Sequence, residues 1–282
     1  MKKLFSFMII ALVLVLAACG GNGTNDGNEG AATGGEEEGN ITLVVGASAV
    51  PHAEVLEEAI PLMAEKGIDL KVETFQDYVL PNIALRDGDI DANYFQTPGY
   101  LALQMEENDS FNFVSVAEIH QEPIGIYSKE YDSLQDLPDG AKIIMSDSLS
   151  DHGRILPIFE REGLITLKED VGPNARVEDI VDNPKNLDFS TLIEAKLLAS
   201  AFESGEGDAV AINTNYALEG GLNIEEDGIA FEGSDVVPAN LVVVRSEDQE
   251  REEIQTLIEV LKSDEIKKFI EEKYQGAVLF VD

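Results

Sequence analysis

Tyr78 to Tyr100 reads YVLPNIALRDGDIDANYFQTPGY, and the fold turns on how this stretch is parsed. Val79 to Arg86 is predicted to be a short helix, closed by Gly88, which can take positive φ without a steric cost. Ile90 to Asn93 is then a brief strand. Thr97-Pro98 opens a further helix, with a hydroxyl at the cap and proline in the first turn. On that parsing Tyr94, Phe95 and Tyr100, with Tyr78 at the start, fall at element ends, where side chains can line a cleft. The other reading makes them ordinary core aromatics, and spacing alone leaves both open.

Outward from this stretch the chain alternates between two periods. ITLVVGA (41–47) reads as a buried strand. Pro51 to Lys66 follows as an amphipathic helix with Val55, Leu56, Ile60 and Met63 on one face. IDLKVETF (68–75) alternates as a strand should, Leu101 to Glu107 continues the helix opened at Thr97, and FNFVSVAEI (111–119) is another strand. The character becomes polar around Ser128 to Leu137, and a second alternation begins. Residues 141–146 are predicted as strand, 150–162 as helix, 164–186 as loop with short helical pieces, 190–204 as helix, 208–213 and 239–245 as strands. Gln249 to Tyr274 is predicted as one long amphipathic helix with Ile254, Leu257, Ile258, Leu261 and Phe269 inward. Such alternation predicts an α/β fold with a mostly parallel sheet covered by helices. It permits a single doubly wound sheet as well as two lobes.

The chain of 282 residues is long enough for one large domain or two lobes with separate cores, and its 44% hydrophobic content is that of a globular protein. Against 55 Asp and Glu stand 19 Lys and Arg, too few cations to neutralise a phosphate backbone, which argues against nucleic acid as a partner. The same balance argues against adhesion to an anionic membrane face by charge. One cysteine, Cys19, excludes an internal disulfide. Its surroundings give it another purpose. Met1-Lys2-Lys3 precedes an almost unbroken apolar run from Leu4 to Leu16, and Leu16-Ala17-Ala18-Cys19 matches a lipobox. Residues 1–18 are therefore read as a signal peptide, with a lipidated Cys19 at the start of the mature chain on the outer face of a membrane. The competing reading is an uncleaved anchoring helix beside a chance cysteine. Residues 20–40, GGNGTNDGNEGAATGGEEEGN, read as a flexible tether with nothing to bury.

VLPNIALRDGDIDANYFQ (79–96) resembles the signature of the NlpA/MetQ family, the methionine-binding lipoproteins of ABC importers. The resemblance continues in order through VGASAVPHAEVLE (45–57), EPIGIYSK (122–129), DNPKNLDF (182–189), AINTNYALEGGL (211–222) and ANLVVVR (239–245). It implies a two-lobed periplasmic-binding-protein-like fold. Residues 41–128 and 232–282 would form lobe one, 129–231 a central insertion forming lobe two, and the ligand cleft would lie between. It also implies methionine, in the L form with the D form as an alternative, as the ligand, and an ABC transporter permease as the partner.

Arg154 follows SLSDHG (148–153), with Ser150 or Asp151 as the expected helix cap. A guanidinium in a first helical turn joins free backbone N–H groups and a positive dipole end, a combination suited to a carboxylate. A surface salt bridge is the alternative. Asn213 and Asn215 end one strand and Asn240 begins another. An amide both donates and accepts, as a zwitterion requires, although asparagines at such places also simply form turns. The resemblance assigns ligand contacts to Asn213 and Asn240, and makes Tyr78, Phe95 and Tyr100 an apolar cage for a thioether. The sequence departs from the family pattern at Asp147 and Asp151 (usually asparagine), Thr97 (usually histidine), Pro238 (usually tyrosine) and Pro157 within the helix, where a kink would re-aim Arg154. These leave room for a Gly-Met-like dipeptide, D-methionine or another apolar amino acid, and the added acids favour a displaced amine.

His52, His120 and His152 lie near Glu54, Glu122 and Asp151 in sequence, so a metal-binding surface lipoprotein is the alternative from another class. The scattered spacing favours no metal, and no cofactor is expected. There is no GxSxG elbow, P-loop or GxGxxG, and no cysteine remains for a nucleophile, so an enzyme is not expected.

Overall fold

In the computed structural model, residues 41–282 are described. The signal peptide, Cys19 and the tether lie outside the described residues. The two longer sheets divide the strands between them.

In the first sheet β1 (Ile41–Ser48) lies one strand in from an edge. It pairs in parallel with β2 (Ile68–Phe75) from Ile41 opposite Ile68 to Ser48 opposite Phe75. On its other side it pairs, again in parallel, with β3 (Ala92–Gln96). Gly46 allows that packing: a Cβ there would stand 2.6 Å from Ile90 Cδ1 and 2.8 Å from Phe75 Cε2. The sheet then turns antiparallel through β12 (Ala239–Arg245), β4 (Phe113–Gln121) and β13 (Leu279–Phe280). One face is covered by α1 (Glu54–Glu65), α8 (Glu252–Leu261) and α9 (Asp264–Tyr274), over a core that includes Leu43, Leu56, Met63, Val242, Leu257 and Ile270. The other face carries α2 (Leu80–Asp87) and α3 (Pro98–Glu107), packed through Leu85, Ile90, Leu101, Phe113 and Leu241.

The second sheet has the order β11 (Gly228–Phe231), β5 (Gly125–Tyr127), β10 (Ala209–Ile212), β6 (Lys142–Ser146), β9 (Asp188–Ile193). Its two faces are covered by α4 (Leu149–Arg161), through Ile155, Leu156 and Phe159, and by α5 (Leu198–Glu203) with α6 (Thr214–Glu219), through Leu198 and Tyr216. A small hairpin, β7 (Thr166–Leu167) with β8 (Ile180–Asp182), and α7 (Ile224–Asp227) complete it.

The chain passes between the sheets twice, from β4 to β5 and from β11 to β12. The two passages are bonded to each other: Gln121 Nε2 donates to the Val237 carbonyl at 2.6 Å, and Glu232 N donates to the Ile124 carbonyl at 3.0 Å. Among the described residues no helix is long and apolar enough to cross a membrane.

Several expectations change. Both sheets are mixed rather than mostly parallel. Residues 188–193 form an edge strand beside β6, not the start of a helix; Asp188, Ser190 and Leu192 face out while Phe189 is buried, a period of two that the following Ala and Leu residues masked. The long C-terminal helix is two helices, because Ser263 caps a new start by accepting from Ile266 N at 3.4 Å. Ile60 is exposed, and Ala59 takes its place on the buried face of α1. α2 ends at Gly88 with φ +80°, as the turn chemistry requires. Thr97 sits at the cap position of α3, but its hydroxyl makes no capping bond.

Candidate functional site

Tyr78, Phe95, Tyr100, Arg154, Asn213 and Asn240 all line one cavity between the two sheets. Tyr94 does not line it. Successive side chains on β3 point to opposite faces, so Tyr94 goes to the core of the first sheet while Phe95 goes to the cavity. The two readings of the aromatic stretch are therefore divided residue by residue.

The aromatics form a cluster around Tyr78. Its ring centroid lies 5.9 Å from Phe95, 5.7 Å from Tyr100 and 5.0 Å from Tyr216. Tyr100 Oη donates to the Tyr78 carbonyl at 2.9 Å, and Tyr78 Oη donates to Asn215 Oδ1 at 2.6 Å, which ties the loop before α2 to α6 across the cleft. Beneath Phe95, Asn82, Asn93 and Gln96 form a buried amide network. Gln96 Nε2 donates to Asn82 Oδ1 at 2.9 Å and to Asn93 Oδ1 at 2.8 Å. These bonds clamp α2 to β3 and hold the aromatic wall in place.

Arg154 is in the second turn of α4, not the first, because Ser148 is the cap residue and Leu149 the first helical residue. The helix continues through Pro157. Its guanidinium is held from behind: Nη2 donates to Glu232 Oε2 at 2.7 Å and to the Glu122 carbonyl at 2.8 Å, and Nε donates to Glu232 Oε1 at 3.1 Å. Burial works against the Arg154 charge, but Glu232 outweighs it and raises the arginine pKa further. Nη1 takes part in none of these bonds. Both carbonyl and carboxylate partners belong to the passages between the sheets, so the arginine is anchored at the crossing.

Glu122, buried in the cavity wall, receives two imidazoles. His120 Nε2 donates to its Oε1 at 2.6 Å, and His52 Nε2 approaches the same oxygen at 3.2 Å while donating to Asn240 Oδ1 at 3.0 Å. His120 Nδ1 accepts the Tyr94 hydroxyl. The bond from His52 fixes the Asn240 amide with its oxygen turned away and its nitrogen left for a ligand. Burial pushes the Glu122 carboxyl up, and the neighbouring His52 and Arg154 act against that. Burial also holds His52 down at about 4 and His120 at about 3. His152 is elsewhere, bonded to the Ser146 carbonyl at 3.1 Å, and Glu54 turns to Tyr274 Oη at 2.5 Å, so the sequence pairings of histidine with carboxylate hold only for His120 and Glu122. His52, His120 and Glu122 bring their ligand atoms within 4.8 Å of one another, a donor set of the kind that binds divalent metals. A metal there would displace both bonds to Glu122 and leave a protonated His52 Nδ1 with no acceptor among the described residues.

The histidines give a pH prediction. Each is neutral in the fold and takes up a proton in the unfolded chain below its ordinary pKa of 6.5. The unfolded state then binds more protons, so stability present above 6.5 is lost as pH falls toward about 4. Relative to His52→Gln/His120→Gln, the unsubstituted protein is expected to lose on the order of 6 kcal/mol across that window, about 3 for each histidine. Thermal midpoints of the two proteins, measured in parallel, check this; parallel curves refute it.

Four buried atoms of cavity-lining residues have no hydrogen-bond partner among the described residues: Asp151 Oδ2, Asn213 Oδ1, Asn215 Nδ2 and His52 Nδ1. Buried polar groups are normally satisfied, so their concentration here marks a place where something else completes them. Sequence reasoning named His52 and Glu122 only within the alternative metal set, and did not single out Glu232 or Gln96. An acid among 55 carries no signal, and only the unmet need of Arg154 for a counter-charge points to Glu232.

Two sheets joined by two passages, with a polar and aromatic cavity between them, define a two-lobed binding-protein fold of the periplasmic type. The chain belongs to the NlpA lipoprotein family, whose sequence model matches residues 43–281. It is 46% identical to the methionine-binding lipoprotein MetQ of Bacillus subtilis (strain 168) over 282 residues, 99% of this chain and 98% of that one. Among solved structures, a nutrient binding protein from Burkholderia cenocepacia bound to methionine is 37% identical with a TM-score of 0.81, covering 85% of this chain and 100% of that one. A periplasmic substrate-binding protein of an ABC transporter from Coxiella burnetii is 33% identical with a TM-score of 0.80, covering 85% of this chain and 100% of that one.

Proposed function

We propose that this protein captures methionine in the cavity between its lobes and delivers it to the permease of an ABC importer. The observation that carries the reading is the set of polar and aromatic groups that share one cavity: the Arg154 guanidinium with the amides of Asn215 and Asn240 for a carboxylate, the unpartnered acceptors Asp151 Oδ2 and Asn213 Oδ1 for an ammonium, and an aromatic cage of Tyr78, Phe95 and Tyr100 for the side chain. Relatives that bind methionine support the ligand class. Lobe one would comprise 41–128 and 232–282 and lobe two 129–231, with closure about the two passages shifting the population toward the delivery-competent state. Lipid on Cys19 would hold the protein at the extracytoplasmic face of the cell membrane, within reach of the permease. The role is one of binding, with no chemical step.

Titration calorimetry of the full chain with L-methionine, D-methionine, a Gly-Met dipeptide and zinc tests the reading. Methionine is expected to bind one to one with a Kd in the micromolar range or tighter. Zinc binding with no heat from any of the three organic ligands would overturn it in favour of a metal-binding lipoprotein.

A further inference from the structure

The geometry points to Asp151 as the group that makes a free, charged ammonium obligatory in the ligand. This inference rests on the amino-acid reading above and adds what part of the amino acid is selected.

Asp151 is 6% exposed and lines the cavity, yet its Oδ2 has no partner among the described residues. A buried carboxylate without a donor is costly and is completed by a cation or by donors. None of the described residues supplies one. Arg154, three residues further along α4, is committed to Glu232, and no ion pair joins it to Asp151. The two other carboxylates near the cavity are occupied: Glu232 by that arginine, Glu122 by the His120 imidazole and the backbone N–H of Asn215. Asp151 alone is left wanting, and beside it the buried Asn213 Oδ1 is a second acceptor without a donor.

The spacing suits an α-amino acid. Residues three apart on a helix present their side chains side by side, so α4 offers an acceptor-only group and a guanidinium as neighbours. The ammonium and carboxylate of an α-amino acid are neighbours in the same way. Asp151 lines the same cavity as Tyr78 and Tyr100, the rings of the aromatic cage. A ligand ammonium has three donors to give, and Asp151 Oδ2 and Asn213 Oδ1 take two of them. An asparagine at position 151 could turn its own N–H groups toward an uncharged head and tolerate it; an aspartate cannot. The site therefore rejects a methionine whose amine is replaced by hydroxyl or is acetylated, because the carboxylate then stays buried and unpaired.

The test compares the full chain with Asp151→Asn in titrations with L-methionine, its 2-hydroxy analogue and N-acetylmethionine. The unsubstituted protein is expected to prefer methionine over either analogue by at least roughly a hundredfold, and Asp151→Asn to reduce that preference by about tenfold or more. An unchanged preference in Asp151→Asn, with methionine still bound by both proteins, overturns the role of Asp151 and leaves the amino-acid reading standing. Failure of the unsubstituted protein to bind methionine at all overturns both. A thermal midpoint for Asp151→Asn equal to or above the parent's, as expected when an unpaired buried charge is removed, shows that any change in preference is not a folding defect.

Discussion

Arg154→Ala is expected to weaken methionine binding by roughly tenfold to a hundredfold, the range set by one charge-assisted contact, and to destabilise the fold as well. The second effect comes from Glu232. That carboxylate is 7% exposed and paired bidentately with the guanidinium, so removing the arginine leaves a buried charge with only the Ile124 N–H as a donor. Breaking such a pair costs about 3–5 kcal/mol. The two roles separate in the double variant. Arg154→Ala/Glu232→Ala should recover much of the lost stability while binding stays weak. Calorimetry and thermal melting on the three proteins give the answer: an affinity unchanged in Arg154→Ala would remove the arginine from the site, and an unchanged midpoint would show that Glu232 finds relief elsewhere.

Glu122→Leu should produce the other large effect. The carboxylate accepts from His120, lies 3.2 Å from His52 Nε2, and has its charge stabilised by the backbone N–H of Asn215 as well. A leucine of similar volume leaves those donors buried and unsatisfied, at about 1–3 kcal/mol each. The thermal midpoint is expected to fall by about 10 °C for a chain of this size. Glu122→Gln, which keeps an accepting oxygen, should lose clearly less. Equal losses in the two variants would mean that packing, not hydrogen bonding, is what Glu122 contributes.

The comparison of sequence with structure divides along physical lines. β1 was legible as an apolar, β-branched run buried on both faces, and β2 and the cores of α1 and α4 because each buries one face at a regular period. The 188–193 strand was misread because DFSTLI runs into a helix-forming segment, and an edge strand paired on one side only needs little apolar pattern of its own. The cavity residues named from the sequence converge, but the reasoning for Arg154 was wrong in its particulars: the residue is held by Glu232 and a carbonyl, not by its place in a first turn. The second layer was not legible at all. Glu232 is 78 positions from Arg154, and Asn240 is 188 from His52; such pairings exist only once the two passages bring the sheets together.

That last arrangement has a mechanical consequence. The counter-ion of Arg154 sits on one of the passages about which the halves would swing, and the carbonyl it also binds sits on the other. Points on an axle barely move when a jaw turns. The cationic group would then stay neutralised in open and shut forms alike, and the bond that each closure must remake would be the one from Tyr78 to Asn215 across the cleft.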